Sequence, residues 1–265
     1  MSISNDGDNP FAPPKAAVLE AASAEGDFVE EGRKLAADRG VAWFSEAWDI
    51  FKRAPGIWVV LFVIFALISI VFAVIPLGGL VTSVCYPVVA AGLMLGCRDL
   101  EQGEPLTIAH LFKGFQGNVG NLLLVGVLYL VGAMAVGLIV GVGTALAIPL
   151  ILGVSPPGNG VEALFKLAPV FILVFLVAMA LMTPLVMALW FAPAIVVFHD
   201  IQPMAAMKAS FKGCLRNIVP FLLYSIVALV LGVVAIIPLG LGLLVVAPLI
   251  WITMYTGYRD IFLER

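Results

Sequence analysis

Four long stretches of this chain contain no charged side chain, and they constrain its fold more than any other feature. Asp, Glu, Lys and Arg are all absent from 56–97, 119–161, 167–198 and 218–258. A helix that crosses a bilayer needs about 20 mostly apolar residues. The whole chain is 62% hydrophobic and 12% charged, whereas soluble domains are about half apolar and a quarter charged. These features predict an all-α, polytopic membrane protein.

Turn signals divide the uncharged stretches into single helices. Pro-Leu-Gly at 76–78 and again at 238–240 splits the first and the last stretch into two helices each. A loop rich in Gly and Pro at 153–160 separates the two middle stretches. We therefore predict a bundle of six transmembrane helices, at about 57–75, 79–97, 121–148, 165–192, 218–237 and 240–258.

The positive charges predict how this bundle is oriented. If the amino terminus is cytoplasmic, every one of the 14 Lys and Arg residues except Lys166 lies on the cytoplasmic side of the six helices. Loops on that side of a bacterial membrane carry an excess of Lys and Arg. We expect the protein in the bacterial cytoplasmic (inner) membrane, with both termini in the cytoplasm.

The first 40 residues differ in composition from the rest. They hold eight acidic and four basic side chains among Ala, Ser, Asn and Pro. Such a segment buries too little apolar surface to offset the entropy lost on ordering. We predict that 1–40 is a disordered acidic cytoplasmic tail and that 41–265 is the six-helix membrane domain.

A short pattern occurs three times in the membrane domain. Phe-Lys precedes the first, third and fifth predicted helices, and the second, fourth and sixth end in Arg-Asp, His-Asp and Arg-Asp. The pattern predicts three tandem helical hairpins in units of about 41–101, 105–201 and 202–262. Apolar residues at helical spacing before each hairpin predict an amphipathic interfacial helix there.

The aromatic and basic residues of these interfacial helices are candidate membrane anchors. An aromatic ring can sit at the acyl boundary while a neighbouring Lys reaches the lipid headgroups. The helices would either form a collar that senses lipid or docks a partner, or simply anchor the hairpins. The candidate anchors are Trp48, Phe51, Lys52, Phe112, Lys113, Phe211 and Lys212.

The charged pairs at the hairpin exits give the sharpest site hypothesis. If the three units pack around a common axis, these pairs converge at the cytoplasmic face and form a polar cluster that binds a headgroup or gates a pore. Alternatively, each pair is a solvated helix end whose cation lies near the helix C-terminus. The candidate residues are Arg98, Asp99, Asn118, His199, Asp200, Asn217, Arg259 and Asp260.

Several activities lack the residues that they need. The net charge is −3 and no long Lys/Arg tract occurs, which argues against nucleic-acid binding. With two His and three Cys, no metal-ligand spacing is present, and neither is a P-loop or a dinucleotide fingerprint. We predict no enzymatic activity, no cofactor and no metal. The expected function is a non-catalytic scaffold or accessory factor that contacts lipid, a membrane protein or a second copy at the cytoplasmic face. The alternative is a facilitator or channel for a small neutral or apolar solute.

Four stretches of the chain carry a resemblance to a known family. They are 92–111 (GLMLGCRDLEQGEPLTIAHL), 187–194 (MALWFAPA), 210–224 (SFKGCLRNIVPFLLY) and 258–262 (YRDIF). With these motifs the chain resembles a family of uncharacterised bacterial polytopic inner-membrane proteins, over about 40–265. The resemblance implies location and topology but no activity. The chain is more loosely similar to the membrane domain fused to some glycerophosphodiester phosphodiesterases, without their catalytic part.

Overall fold

The computed structural model describes residues 26–152 and 160–264, and within them the chain is almost entirely helical. One isolated bridge joins Phe28 to Leu263. A single 3₁₀ turn, Gly114–Gln116, follows the fourth helix. The helices are α1 (Arg39–Phe51), α2 (Pro55–Val74), α3 (Gly78–Glu101), α4 (His110–Lys113), α5 (Val119–Leu152), α6 (Gly160–Trp190), α7 (Ala192–His199), α8 (Pro203–Arg216), α9 (Ile218–Ile236) and α10 (Leu243–Phe262).

Five segments of the described chain are long and apolar enough to cross a membrane. They are Pro55–Val74, Gly78–Glu101, Val119–Pro149, Leu167–His199 and Ile218–Ile236. They coincide with the first five predicted spans, so the all-helical membrane fold is confirmed. The sixth predicted span falls on α10, which is long enough but is not among the five. Its second half carries two Thr, two Tyr and the charged pair Arg259-Asp260, which lower its mean hydropathy.

The fourth predicted span is interrupted near its end. Helix α6 stops at Trp190 and α7 begins at Ala192, with Pro193 in the first turn of α7. Proline suits that position because its missing N–H would have no partner there. After the break, α7 continues to His199, seven residues beyond the predicted end of this span at 192.

The interfacial segments pack on hairpins that come from other predicted units. Helix α1 lies against α9 and α10, α4 lies against α3, and α8 lies against α6 and α7. Two of these contacts depend on glycine. A Cβ on Gly40 would come within 1.9 Å of the carbonyl oxygen of Pro220, and one on Gly114 within 2.0 Å of that of Val88.

The second interfacial segment differs from the predicted amphipathic helix. It is one short helix, α4, followed by the 3₁₀ turn. Gly117 ends the turn with a non-helical backbone (φ −119°, ψ −124°). Gly114, at the start of the turn, packs directly against backbone atoms of α3. The other two segments, α1 and α8, form helices of 13 and 14 residues.

The segment before α1 is packed against the end of α10. Val29 N–H donates to the Phe262 carbonyl at 2.8 Å, and Arg33 N–H donates to the Ile261 carbonyl at 2.7 Å. The predicted disordered tail therefore ends earlier than residue 40, because residues from 26 onward find backbone partners. The remainder of that predicted tail, 1–25, lies outside the described residues.

Candidate functional site

The ends of the three hairpins converge into one buried core. We call these ends the exit segments: 92–101 of α3, 192–199 of α7 and 252–262 of α10. Almost all of their residues are buried. Rings from different segments touch, with Phe198 and Tyr258 stacked at 5.4 Å and Phe191, next to α7, edge-on to Phe262 at 5.5 Å. We call this end of the bundle, where α1, α4 and α8 also lie, the charged end.

The first member of each exit pair links its segment to the next one. The links are Arg98 over the Phe198 ring at 5.6 Å, His199 to the Tyr258 hydroxyl, and Arg259 to the Glu101 carboxylate. They run from α3 to α7, from α7 to α10, and from α10 back to α3. The three exit segments are therefore joined in a closed cycle.

The aspartates of the pairs do not form a ring. Each accepts hydrogen bonds from a different part of the chain outside the exit segments. Asp99 accepts from His110 (3.1 Å) and Lys113 of α4, Asp260 accepts from Arg39 (2.6 Å) and Trp43 (3.0 Å) of α1, and Asp200 accepts from Asn118. Two of the three aspartates therefore hold interfacial helices against the core.

Asp260 belongs to a chain of alternating charges between α1, α3 and α10. Arg39 bridges Asp260 and Glu46, each at 2.6 Å, and Arg259 bridges Glu46 and Glu101. The hydrogen bond that Arg39 donates to the Asp260 carboxylate raises the pKa of Arg39 above its ordinary value. Each charge in this network lies next to an opposite charge. Burying part of the network therefore costs less free energy than burying the same charges unpaired.

The two asparagines of the candidate polar cluster lie in different environments. Asn217 is fully buried, accepts from Leu35 N–H at 2.8 Å, and donates to the carbonyls of Arg33 and Gly213. It therefore holds the segment before α1 in place. Asn118 is half-buried and donates to Asp200. The polar-cluster hypothesis grouped the two with the exit pairs; Asn118 contacts the Asp200 carboxylate, whereas Asn217 contacts the backbone of Arg33, Leu35 and Gly213.

Asp99, His110 and Thr107 are arranged in the order of a nucleophile triad, but their geometry fits a turn. Nδ1 of His110 lies 3.0 Å from Thr107 N–H and 3.1 Å from its hydroxyl, and Nε2 lies 3.1 Å from Asp99. A side chain that accepts from the backbone N–H three residues earlier is half of a capping box. Among the described residues, no three His, Cys, Asp or Glu side chains lie close enough to hold a metal.

The candidate anchors divide into exposed and buried residues. Trp48 is 43% exposed and Phe112 is 47% exposed, so both can reach a membrane interface. Phe51 is only 4% exposed and packs in the core, which contradicts its predicted role as an anchor. Phe211 is half-buried. The three lysines have carboxylate neighbours: Lys52 has Asp49, Lys113 has Asp99, and Lys212 has Glu31.

Sequence reasoning missed the partners of the exit pairs. Arg39, Glu46, Glu101 and His110 contribute to the charged end as much as the predicted residues do. Most lie far from their partners along the chain, and Arg39 lies 221 residues from Asp260. The one local signal is the spacing of Thr107 and His110, which is that of a capping box.

These features define a polytopic, α-helical membrane protein whose charged end is packed into a core. The chain is 31% identical over 208 residues to a probable inner membrane protein of Burkholderia thailandensis, and the match covers 76% of each chain. The chain belongs to the family of that protein, and its place is the inner membrane. The name of the relative states no enzymatic activity. No family model and no solved structure matches the chain.

Proposed function

We propose that the protein is a non-catalytic scaffold or accessory factor of the inner membrane that holds a protein or lipid partner at its cytoplasmic face. The observation that carries this proposal is the closed cycle of the three exit segments. Side chains fill the charged end, and the interfacial helices surround it. Such an end offers a rigid platform rather than an aqueous path.

The same proposal includes α10 as a sixth span and places the charged end in the cytoplasm. Helix α10 is surrounded by protein in its second half, so it need not be apolar on every side. Its hydroxyl groups have partners, since Thr253 donates to the Ile250 carbonyl and Thr256 to the Trp43 carbonyl. The distribution of Lys and Arg supports the orientation.

The packing order supports three tandem units. In the unit scheme, α1 opens the first unit, α4 the second and α8 the third. Each of these helices packs on the hairpin of the preceding unit, and α1 packs on the last hairpin. The same packing arrangement thus occurs three times, and its third occurrence connects the last unit to the first. This is expected if three similar units were arranged around an axis.

The alternative, a facilitator or channel for a small neutral or apolar solute, has weaker support. Its path would have to cross the exit segments. Their buried aromatic rings and ion pairs would have to separate for each passage, and breaking buried pairs is costly.

Cysteine labelling tests the proposed topology. We expect Asn159→Cys, between α5 and α6, to react with a membrane-impermeant maleimide in intact spheroplasts. We expect Lys34→Cys and Glu264→Cys, both at the charged end, to react only after permeabilisation. The background carries Ser at Cys85, Cys97 and Cys214. If Lys34→Cys and Asn159→Cys were labelled from the same side, the proposed arrangement would be wrong.

The scaffold proposal is tested by quantitative mass spectrometry of what co-purifies after mild extraction with native lipids. A stoichiometric protein or enriched lipid should be recovered with the wild type. Its recovery should fall with Arg259→Gln, which loosens the cycle, and should persist with the matched lipid-facing change Ile70→Ala. Equal recovery in all three proteins, or solute flux in liposomes without any partner, would contradict the scaffold role.

A further inference from the structure

The segment that precedes α1, residues 26–38, lies against the end of α10 in an extended form, and we call it the strap. An antiparallel bridge joins Phe28 of the strap to Leu263. Val29 N–H donates to the Phe262 carbonyl at 2.8 Å. Peptides that bind proteins commonly use main-chain hydrogen bonds of this kind to pair with an exposed edge. The strap thus contacts the rest of the chain in the way that a bound peptide does.

Asn217, directly after α8, binds the backbone of the strap. Its side-chain oxygen accepts from Leu35 N–H, and its amide donates to the Arg33 carbonyl, each at 2.8 Å. The Asn217 side chain is fully buried, so it is held in place for these bonds. Because both bonds go to backbone atoms, any extended peptide that lies at this position can make them.

Phe28 supplies the strap with an aromatic anchor. The centroid of its ring lies 4.4 Å from that of His199 and 6.0 Å from that of Phe262. A cavity of about 390 Å³ adjoins the ring, and volumes of about 300–1,000 Å³ are typical of ligand pockets. The cavity is lined by Phe28, Glu30, Ile201, Ala205 and Ala209. The groove that holds the strap therefore offers more room than the strap occupies.

The end of α8 selects a carboxylate and a glycine in the strap. The Glu31 carboxylate pairs with Arg216 at 2.6 Å and with Lys212 at 3.7 Å. Arg216 also donates to the Gly32 carbonyl at 2.8 Å. A Cβ on Gly32 would lie 3.1 Å from the Cα of Gly213. The groove is therefore narrow at this point, where glycine fits and a larger residue does not.

The strap is held less firmly than the helices that form its groove. Its apolar side chains Phe28, Val29 and Leu35 are only partly buried. The Glu31 side chain is 58% exposed, and exposed ion pairs add little stability. Segments with few buried apolar contacts open locally while the rest of a protein stays folded. Helix α8 keeps its contacts with α6 and α7, and α10 keeps its contacts with α1, when the strap leaves.

We propose that the groove formed by the end of α10, His199 and the end of α8 binds an extended segment of a protein partner, and that the strap is its built-in competitor. The strap defines the chemistry of that segment: an aromatic residue and, three positions later, a carboxylate followed directly by glycine. The inference rests on the proposed scaffold function and names the class of its partner. The strap and the partner segment exclude each other, so release of the strap switches partner binding on.

Fluorescence anisotropy tests the groove, with the full chain in detergent micelles and a labelled synthetic peptide of residues 26–38 as the probe. Gly32→Val should expel the strap, because Gly32 has a backbone φ of +69° and packs against Gly213. This variant should bind the probe at least tenfold more tightly than the wild type, whose tethered strap competes at an effective concentration on the order of millimolar. Lys34→Gln, at an exposed position of the strap, is the matched control and should bind as the wild type does.

Changes in the peptide test what the groove recognises. With the Gly32→Val chain as receptor, peptides that carry Phe28→Ala or Gly32→Val should bind at least tenfold more weakly than the unchanged peptide. A peptide that carries Lys34→Gln should bind as the unchanged peptide does. If the Gly32→Val chain folds poorly, a chain with both Phe28→Ala and Glu31→Gln releases the strap by removing its anchor and its ion pairs.

Absence of probe binding to both strap-released chains, or equal binding of all the peptides, would overturn the proposed groove. A wild-type dimer that the peptide dissociates would assign the groove to the strap of a second copy and would overturn the separate partner. Neither result alters the recovery of a partner after mild extraction, which tests the scaffold role by itself.

Discussion

Replacing Gly114 with leucine is expected to lower the melting temperature of the purified protein by about 10 °C, as a loss of about 3 kcal/mol would in a chain of this size. A Cβ at Gly114 would stand 2.0 Å from the Val88 carbonyl oxygen and 3.2 Å from Gly92 N. These are backbone atoms of α3, so they cannot rotate aside as a flexible side chain could. The second interfacial segment would have to move away from α3, which would also disturb the contact of Asp99 with α4.

The matched control is Gly141→Leu, also in a helix of the bundle. A Cβ at Gly141 meets nothing within 4 Å, and leucine has a higher helix propensity than glycine. We expect its melting temperature to be equal to or above that of the wild type. Gly40→Leu, which would bring a Cβ within 1.9 Å of the Pro220 carbonyl oxygen, should behave like Gly114→Leu. Similar melting temperatures for all the variants would contradict the close packing of the interfacial segments.

Asp260→Asn is expected to cost about 2–3 kcal/mol of unfolding free energy, less than the roughly 3–5 kcal/mol of a fully buried pair. Asp260 is 6% exposed and accepts from both Arg39 and Trp43, but the Arg39 side chain is 28% exposed, so water compensates part of the loss. The amide keeps the shape of the carboxylate and removes its charge. The measurement is chemical denaturation in detergent micelles, compared with Asp49→Asn, whose exposed pair with Lys52 should change stability by less than about 1 kcal/mol.

A double-mutant cycle shows whether the Asp260 effect arises from its pair. Once Arg39→Gln is present, Asp260→Asn should cost clearly less than it does alone, because residues in one ion-pair network are coupled. If the two single effects simply add, the ion pair does not hold α1 against α10. The cycle also separates this pair from the neighbouring bridge between Arg259 and Glu101.

The positions of the five apolar spans could be predicted because a bilayer restricts the composition of the segments that cross it. The uncharged runs mark the five apolar spans directly, since charges at bilayer depth are costly. The same reasoning does not identify α10 as a sixth span, because its second half carries charged and polar side chains. The exit segment of α10 is covered by protein rather than lipid, so its Thr and Tyr residues are satisfied locally. The mean hydropathy of a segment indicates how favourably it would contact lipid. It carries no information about α1, which packs against α10 and shields its polar side chains from lipid.

The candidate site could be predicted only in part, because its motif is local and its partners are distant. The Arg-Asp and His-Asp pairs are visible in the sequence, and they do lie together at one end of the bundle. The direction of each side chain is not visible. Arg98, His199 and Arg259 link the exit segments to one another, while the aspartates also accept hydrogen bonds from parts of the chain outside those segments.

Two further differences have the same cause. Phe51 shares its helix with Trp48, and helical spacing alone cannot decide which of the two rings packs inward. The segment from residue 26 to α1 has the composition of a disordered tail, yet Asn217 and the end of α10 offer it hydrogen-bond partners. Both outcomes depend on tertiary contacts that composition does not encode.

Hydrogen–deuterium exchange of the full chain in lipid nanodiscs tests the central claim most directly. If the exit segments form one closed core, amides in 92–101, 192–199 and 252–262 should exchange as slowly as those of the apolar spans, although these segments lie at the charged end of the bundle. Solvated helix ends would instead fray and exchange within seconds. Rapid exchange in all three segments would contradict the core and the scaffold that is built on it.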